Sequence, residues 1–453
     1  MTFDDEAFSA KVNRLNHHQR EAADSLSEGW NADDGSFALP IVEGPPGTGK
    51  TTVAVLGAAR YIIQNPTAKV AYLAYTNLAA DKAREEFYSL GFGPDEVLRL
   101  SANHRETDWA RGVVGCDSDL QNLTPEQKRR VHGTRVLIST LHSCARIFQV
   151  FKQPLIVIDE FSQVSPQMFF WVLSRVSATS YYNPSGFALM GDPNQLPVIT
   201  SQPLLRPNIG TFVMSRKGQY EPHRLDTQYR MHERVCQAVN ALREALNTYP
   251  LETDAGTRLR DLEKLGYQWN PSKVNRAFHE VLEPSNPLVF IDTDSLPGQE
   301  QVGLGQSKLY TSEAKLAMRL AELARQAYAD FQGRPLLPVA LSPYRAQVAA
   351  LESEAGNSPM QTNCMTVYKA QGREYPVVVV SFARKNPQAQ IGFLAEPELR
   401  AQTYVACSRA MAKLILLFSF STFQGYPDFA TLLGRCENQA YMADTADLWR
   451  RLG

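Results

Sequence analysis

The sequence predicts an α/β protein of two tandem units, each a mostly parallel sheet flanked by helices. Three observations carry this. Apolar runs of strand length alternate with segments of helical period, a glycine-rich loop joins one such run to a helix, and the alternation starts afresh in the second half. In the first half the runs are Phe37 to Val42, Val70 to Tyr75, Val136 to Ile138, Leu155 to Ile158 and Phe187 to Met190. The second series begins at Leu288 to Ile291 and continues through Pro338 to Leu341, Val377 to Val380 and Leu414 to Phe418, with a helical stretch over Ser312 to Phe331. The polar connection Ser201 to Pro222, with its prolines and glycines, reads as the linker, so units of 1–210 and 211–453 are expected. Ala102 to Gly133 and Cys236 to Glu283 are rich in charge and turn residues and break the rhythm, and each is expected as an insertion on one sheet.

Composition agrees with two cores. A chain of 453 residues is too long for one ordinary domain, and 44% hydrophobic against 21% charged residues excludes a disordered chain. No apolar run approaches the ~20 residues of a membrane span. Met1 to Glu6 is acidic and has no signal-peptide pattern, so a cytoplasmic protein is expected, nucleoid-associated if bacterial and not secreted. The six cysteines, at 116, 144, 236, 364, 407 and 436, form no C-x-x-C pair and are expected as reduced packed thiols. His17 and His18 lack partners at ligand spacing and read as surface residues. A net charge of −1 provides no overall basic field, so any nucleic-acid contact has to come from a local groove.

The chemistry begins at Gly44-Pro45-Pro46-Gly47-Thr48-Gly49-Lys50-Thr51, a G-x-x-x-x-G-K-T loop between the run ending at Val42 and the helical stretch Thr52 to Ile63. Glycines let backbone N–H groups turn inward around a phosphate, Lys50 reaches the β- and γ-phosphates, and Thr51 offers a hydroxyl to Mg²⁺ at the positive end of the helix. Thr52, at the start of that helical stretch, is expected among the ATP-binding residues. The apolar run Leu155 to Ile158 ends in Asp159 and Glu160, where a strand's carboxyl end opens onto a nucleotide crevice. Asp159 is placed to hold Mg²⁺, and Glu160 to orient and deprotonate the attacking water.

With these motifs the chain resembles a superfamily 1 helicase, of the branch that contains the nonsense-mediated-decay RNA helicase and related 5′-to-3′ DNA helicases. The resemblance implies two tandem RecA-like P-loop domains with insertions. Leu15 to Gln19 resembles the L-N-x-x-Q element, which implies that Gln19 reads adenine. Asp159-Glu-Phe-Ser-Gln163 resembles the D-E-x-x-Q box, and Gly191 to Val198 is close to G-D-x-x-Q-L-P-P, so Gln195 takes the role of γ-phosphate sensor. Leu225 to His232 resembles the Q-Y-R element, in which Tyr229 stacks on adenine and Arg230 acts as an arginine finger. Tyr404 to Ala410 resembles the element that carries a second finger, Arg409, and Cys407 there reads as packing.

Strand contacts follow from the same resemblance. Ala74 to Asp81 implies phosphate contacts by Thr76 and Asn77, and the end of the Val136 run adds Ser139 and Thr140. Pro338 to Gln347 resembles the T-P-Y-x-x-Q strand end and implies contacts by Pro343 and Tyr344. Thr366 to Glu374 joins a T-V-x-K-x-Q-G pattern of RecD-like type to the Q-G-R-E of the decay helicases, and implies Thr366 and Lys369 for the strand and Gly372 and Glu374 for the nucleotide.

The resemblance therefore implies a monomeric, ATP- and Mg²⁺-dependent helicase or translocase that walks 5′ to 3′ on single-stranded nucleic acid, DNA before RNA, and acts at duplex junctions. Closure of the two domains on ATP brings the fingers to the phosphates. A P-loop ATPase remodelling a protein partner is the alternative from another class. A translocase without unwinding is a third reading, distinguished by the lack of a working separation pin, for which Ala102 to Gly133 is the expected place.

Overall fold

A computed structural model of the chain describes residues 5–28, 39–117, 120–152, 154–178, 186–198, 200, 202, 206–215, 221–397 and 399–452. The chain separates into two compact units, Met1–Asp226 and Thr227–Gly453.

The first unit is built on a sheet of eight parallel strands: β1 (Ile41–Glu43), β2 (Val70–Ala74), β3 (Val97–Ser101), β4 (Val113–Gly115), β5 (Val136–Thr140), β6 (Leu155–Ile158), β7 (Gly186–Gly191) and β8 (His223–Arg224). Their spatial order is β4-β3-β5-β2-β6-β7-β1-β8. Both faces are covered, which is why the central strands read as unbroken apolar runs rather than as alternations. In β2, Val70, Tyr72 and Ala74 join a core with Leu26, Val53 and Leu56, while Ala71 and Leu73 join a second core with Leu98, Ile147 and Phe161. The parallel order puts the ends of β1, β2, β5 and β6 on one rim, and the phosphate loop after β1 and the acidic pair after β6 sit there.

Two helices set the geometry of that rim. His17–Ser27 begins with a capping box in which Asn16 accepts from Gln19 N–H and the Gln19 side chain accepts from Asn16 N–H. It packs on Lys50–Gln64 through Gly57, where a Cβ would lie 2.6 Å from Leu26 Cβ and 2.9 Å from the Ala23 carbonyl. Of the run expected at Phe37 to Val42, residues 37 and 38 lie outside the described residues.

The connection after β7 belongs to this unit. The helix Ile209–Met214 rests on the Phe161 ring at Gly210, and β8 pairs with β1, so the division at Asp226 lies further along than 210/211. Residues 201, 203–205 and 216–220 of the expected linker are outside the described residues. The stretch expected as an insertion at 102–133 contains a 3₁₀ turn, the edge strand β4 and the helix Pro125–Gly133.

The second unit opens with β9 (Thr227–Gln228), paired with β10 (Glu252–Thr253). β11 (Tyr267–Trp269) pairs with β15 (Tyr328–Asp330), and β13 (Gln301–Val302) forms a hairpin with β14 (Lys308–Leu309). The main sheet has six parallel strands, β12 (Leu288–Asp292), β16 (Val339–Ser342), β17 (Cys364–Thr366), β18 (Tyr375–Ser381), β19 (Ala410–Phe418) and β20 (Tyr441–Met442), in the order β17-β16-β18-β19-β12-β20. The stretch expected as an insertion at 236–283 holds most of the helix Glu233–Ala245, whose buried face includes Val235, Val239 and Leu242. All six cysteines are free and buried. Among the described residues no helix is long and apolar enough to cross a membrane, and no cluster of metal-ligating side chains stands out.

Candidate nucleotide site and nucleic-acid contacts

The phosphate loop leaves the end of β1 and is pinned by Gly44 N–H donating to the Gly191 carbonyl at 2.8 Å. Gly47 and Gly49 have φ of +83° and +82°, a backbone open to glycine at little cost. Thr48 is fully buried and its hydroxyl donates to the Pro45 carbonyl, so its side chain shapes the loop. Pro45 and Pro46 are buried as well, whereas Thr51 and Thr52 are half-buried on the first turn of the helix that Lys50 begins. Lys50 is 9% exposed, and a Cβ on Gly44 would lie 2.3 Å from its Cγ. Gly44 is therefore the space through which the lysine stem runs.

Gln19 is 5% exposed and sits behind this loop. Its Nε2 donates to the Thr48 carbonyl at 2.9 Å and its Oε1 closes the capping box. The amide expected to read adenine is in this structure tied at both ends.

Next to the loop, β6 ends in the acidic pair. Asp159 is 2% exposed; its two oxygens accept from Tyr72 Oη at 2.7 Å and from Glu160 N–H at 2.8 Å. Burial pushes this carboxyl up to about 6, the Glu160 charge adds to the rise, and the Tyr72 hydrogen bond and the Lys50 charge oppose it. Glu160 takes a left-handed conformation, φ +57° and ψ +49°, which a side chain larger than Asn seldom adopts. Its Oε2 is buried and has no hydrogen-bond partner among the described residues. A buried carboxylate oxygen without a donor is costly, and strain in the same residue points to a group held ready for something else.

Two residues of this arrangement are not legible as motif letters. Tyr72, in the middle of β2, is the hydrogen-bond donor to Asp159. Phe161 is wedged where Cβ atoms on Gly191 and Gly210 would come within 2.7 and 2.2 Å of it, which packs the acidic turn onto the Gly191–Asp192 turn. Gln195 follows, 4% exposed, its N–H donating to the Asp192 carbonyl.

In the second unit, Tyr229 and Arg230 lie between β9 and the helix Glu233–Ala245. Arg230 Nε donates to Glu374 Oε2 at 2.6 Å and its Nη1 to the Ser408 carbonyl at 3.1 Å, so two residues expected at the nucleotide are brought together. Gly372, at φ +75°, turns the chain toward Glu374. Arg409, expected as the second finger, is held within its own unit. It is 2% exposed, with Nε on the Val405 carbonyl, Nη1 on the Arg373 carbonyl and Nη2 on Ser408 Oγ. In this state it braces its own unit, and a finger role requires that it release those partners.

The strand contacts divide in the same way. Thr76 and Asn77 are exposed at the start of the helix Asn77–Tyr88, which Thr76 caps. Thr140, half-buried at the end of β5, shares the rim because Ala74 and Thr140 are register partners. Ser139 does not: it is fully buried and its hydroxyl donates to the Leu100 carbonyl, because strand alternation turns it inward. Lys369 is exposed and Thr366 caps its short helix. Pro343 and Tyr344, expected on the strand path, are buried; the Tyr344 hydroxyl donates to the Ile391 carbonyl and accepts from Arg384 Nη1. Through these bonds Tyr344 ties down the loop that follows β18.

The parallel sheets, the phosphate loop and the acidic strand end define a P-loop nucleotide-binding protein. Residues 14–255 match a family model described as an AAA domain, and residues 211–420 match a second model of that description. The chain belongs to this AAA-domain family, in its superfamily 1 helicase branch. It is similar to the DNA replication ATP-dependent helicase/nuclease DNA2 of Mus musculus, 26% identical over 442 residues that cover 89% of this chain and 38% of that protein. It is also similar to the DNA replication ATP-dependent helicase/nuclease JHS1 of Arabidopsis thaliana (25% over 436 residues; 94% of this chain, 30% of that one). Regulator of nonsense transcripts 1 of Dictyostelium discoideum is 22% identical over 458 residues, 90% of this chain and 31% of that protein. The chain thus spans 30% to 38% of the length of these relatives.

Proposed function

We propose that the chain is an ATP hydrolase that uses turnover to move 5′ to 3′ along single-stranded nucleic acid, DNA in preference to RNA, and to open duplexes it meets. The observation that carries this is Glu160: a strained residue with a buried, unpartnered carboxylate oxygen, beside Asp159 and on the rim where Lys50 lies.

The residues fit ATP and Mg²⁺. Lys50 has a channel shaped by Gly44, the loop turns through two positive-φ glycines, and Thr51 with Asp159 are the oxygens that would hold the metal. Mg²⁺, when bound, neutralises phosphate charge. Lys50 supplies a cation to the γ-phosphate, Glu160 orients a water and accepts its proton at Oε2, and Gln195 senses the phosphate from the next turn. Arg230 exchanges Glu374 for phosphate and so ties the second unit to the state of the nucleotide. Thr76, Asn77 and Thr140 on one unit, and Thr366 and Lys369 on the other, hold the strand backbone without reading bases. Relatives named as DNA replication helicases support the DNA preference, and the resemblance of the Q-Y-R and T-V-x-K-x-Q-G elements supports the polarity.

The test is ATP turnover with and without single-stranded DNA and RNA, followed by unwinding of duplexes with a 5′ or a 3′ tail. Stimulation by the strand and opening of 5′-tailed duplexes are expected. Turnover indifferent to nucleic acid refutes the motor, and faster opening of 3′-tailed duplexes refutes the polarity.

A further inference from the structure

The segment Tyr229-Arg230-Met231 lies between a two-residue strand and a helix, in backbone with no ladder to satisfy it. Buried backbone N–H and C=O groups in such a turn need partners from side chains. Two residues supply them. Gln228, fully buried, accepts at Oε1 from Arg230 N–H at 2.9 Å and from Met231 N–H at 2.7 Å. Its Nε2 donates to the Met231 carbonyl at 2.9 Å and to Thr253 Oγ1 at 3.0 Å. Arg260 reaches back from a distant loop, and its Nη1 donates to both the Tyr229 and the Arg230 carbonyls at 3.0 Å.

Both backbone groups of Arg230 are therefore held, and its side chain is held at the other end by Glu374 and the Ser408 carbonyl. A guanidinium is a rigid planar donor and fixes the direction of the groups it binds, which a lysine ammonium on a flexible stem does less well. Arg260 lies in a stretch without any motif, and its guanidinium also donates to Thr257 Oγ1 in its own loop.

We infer that Arg260, with Gln228, is a positioning residue for the Tyr229–Arg230 step, fixing the direction in which Arg230 is presented to the nucleotide phosphates. This rests on the reading of Arg230 as a phosphate-contacting arginine. The role is exerted through placement: a displacement of about 1 Å in a catalytic group costs on the order of a hundredfold in rate. Tyr229 shares the clamp, so the orientation of the adenine-stacking ring depends on the same hydrogen bonds.

The experiment is strand-stimulated ATP turnover by the full chain carrying Arg260→Met, Arg260→Lys, Arg230→Ala, or Arg260→Met with Arg230→Ala. Arg260→Met is expected to lower kcat roughly ten- to a hundredfold while changing KM for ATP much less. Arg260→Lys is expected to fall between it and the wild type. In the Arg230→Ala background, Arg260→Met is expected to have almost no further effect, because the group it positions is gone. A loss that multiplies onto that of Arg230→Ala shows a general structural role and overturns the inference, as does a wild-type kcat for Arg260→Met beside a crippled Arg230→Ala. An Arg230→Ala protein with undiminished turnover overturns the reading of Arg230 itself and the inference with it. Thermal unfolding of each variant is measured alongside; if Arg260→Met does not fold, Arg260→Lys decides, and a wild-type kcat there overturns the inference.

Discussion

Replacing Gly44 by alanine tests whether the placement of Lys50 controls turnover. The backbone of Gly44 is not in the left-handed region, so alanine is allowed conformationally and the effect is one of space. The added Cβ would meet Lys50 Cγ at 2.3 Å, Lys50 Cδ at 2.9 Å and Thr48 Oγ1 at 3.0 Å. Carbon atoms rest at about 3.5–4.0 Å, so the lysine stem has to move by roughly 1 Å or more. Lys50 is 9% exposed and has little room to do so. Overpacking of this kind costs about 1–3 kcal/mol of stability, a modest loss for a unit of this size. Misplacing the cation by about 1 Å is expected to cut turnover on the order of a hundredfold. Steady-state ATP hydrolysis with saturating single strand, run beside thermal unfolding, separates the two effects. Gly93→Ala, where a Cβ would meet nothing within 4 Å, is the control and should behave as wild type. A Gly44→Ala protein that folds and turns over within a small factor of wild type refutes the argument that this channel positions Lys50.

Glu160→Gln should retain nucleotide binding and lose turnover by roughly 10²–10⁴-fold, the range for removing a general base, and an undiminished rate would assign the base to another group. Gly57→Ala should lower the unfolding midpoint, since the new Cβ would press on the Ala23 carbonyl and Leu26 Cβ and cost about 1–3 kcal/mol; an unchanged midpoint would contradict the close helix packing. Glu313→Gln addresses pH. Burial pushes the Glu313 carboxyl from its ordinary 4.5 up to about 7, against hydrogen bonds from Ser381, Ala383 and Thr293, so folding takes up a proton between those values. Wild-type stability should therefore fall as pH rises from about 4.5 to about 7, while the amide variant lacks that slope; parallel profiles of unfolding midpoint against pH would refute it.

The fold was legible where chemistry and apolar runs coincide. The runs at Leu155 and Val70 are strands because both faces of the sheet are covered, and the phosphate loop and acidic pair are contiguous letters attached to strand ends. β3 was not legible, because Arg99 interrupts Val97 to Ser101; it is buried only through its ion pairs with Asp81 and Glu106, which lie elsewhere in the chain. The helix Glu233–Ala245 was hidden in the same manner by Arg243, fully buried with its guanidinium on the Tyr249 carbonyl, Tyr404 Oη and Thr248 Oγ1. β4, β17 and β20, of two or three residues, are too short to show a period. In the candidate site, motif letters placed Lys50, Asp159, Glu160 and Thr76 on the rim. They did not show which way a side chain points, so Ser139, Tyr344 and Arg409 turn out to face inward. Nor could they supply Tyr72 or Arg260, whose partners are set by tertiary contacts across 87 and about 30 positions.

The central claim is ATP-driven movement along a single strand. It is tested most directly by displacement of streptavidin from biotin at the 3′ or the 5′ end of single-stranded DNA. The account predicts ATP-dependent release from the 3′ end, little from the 5′ end, and none from either with Lys50→Ala. Release from neither end by a wild-type protein that binds the strand and hydrolyses ATP would contradict it.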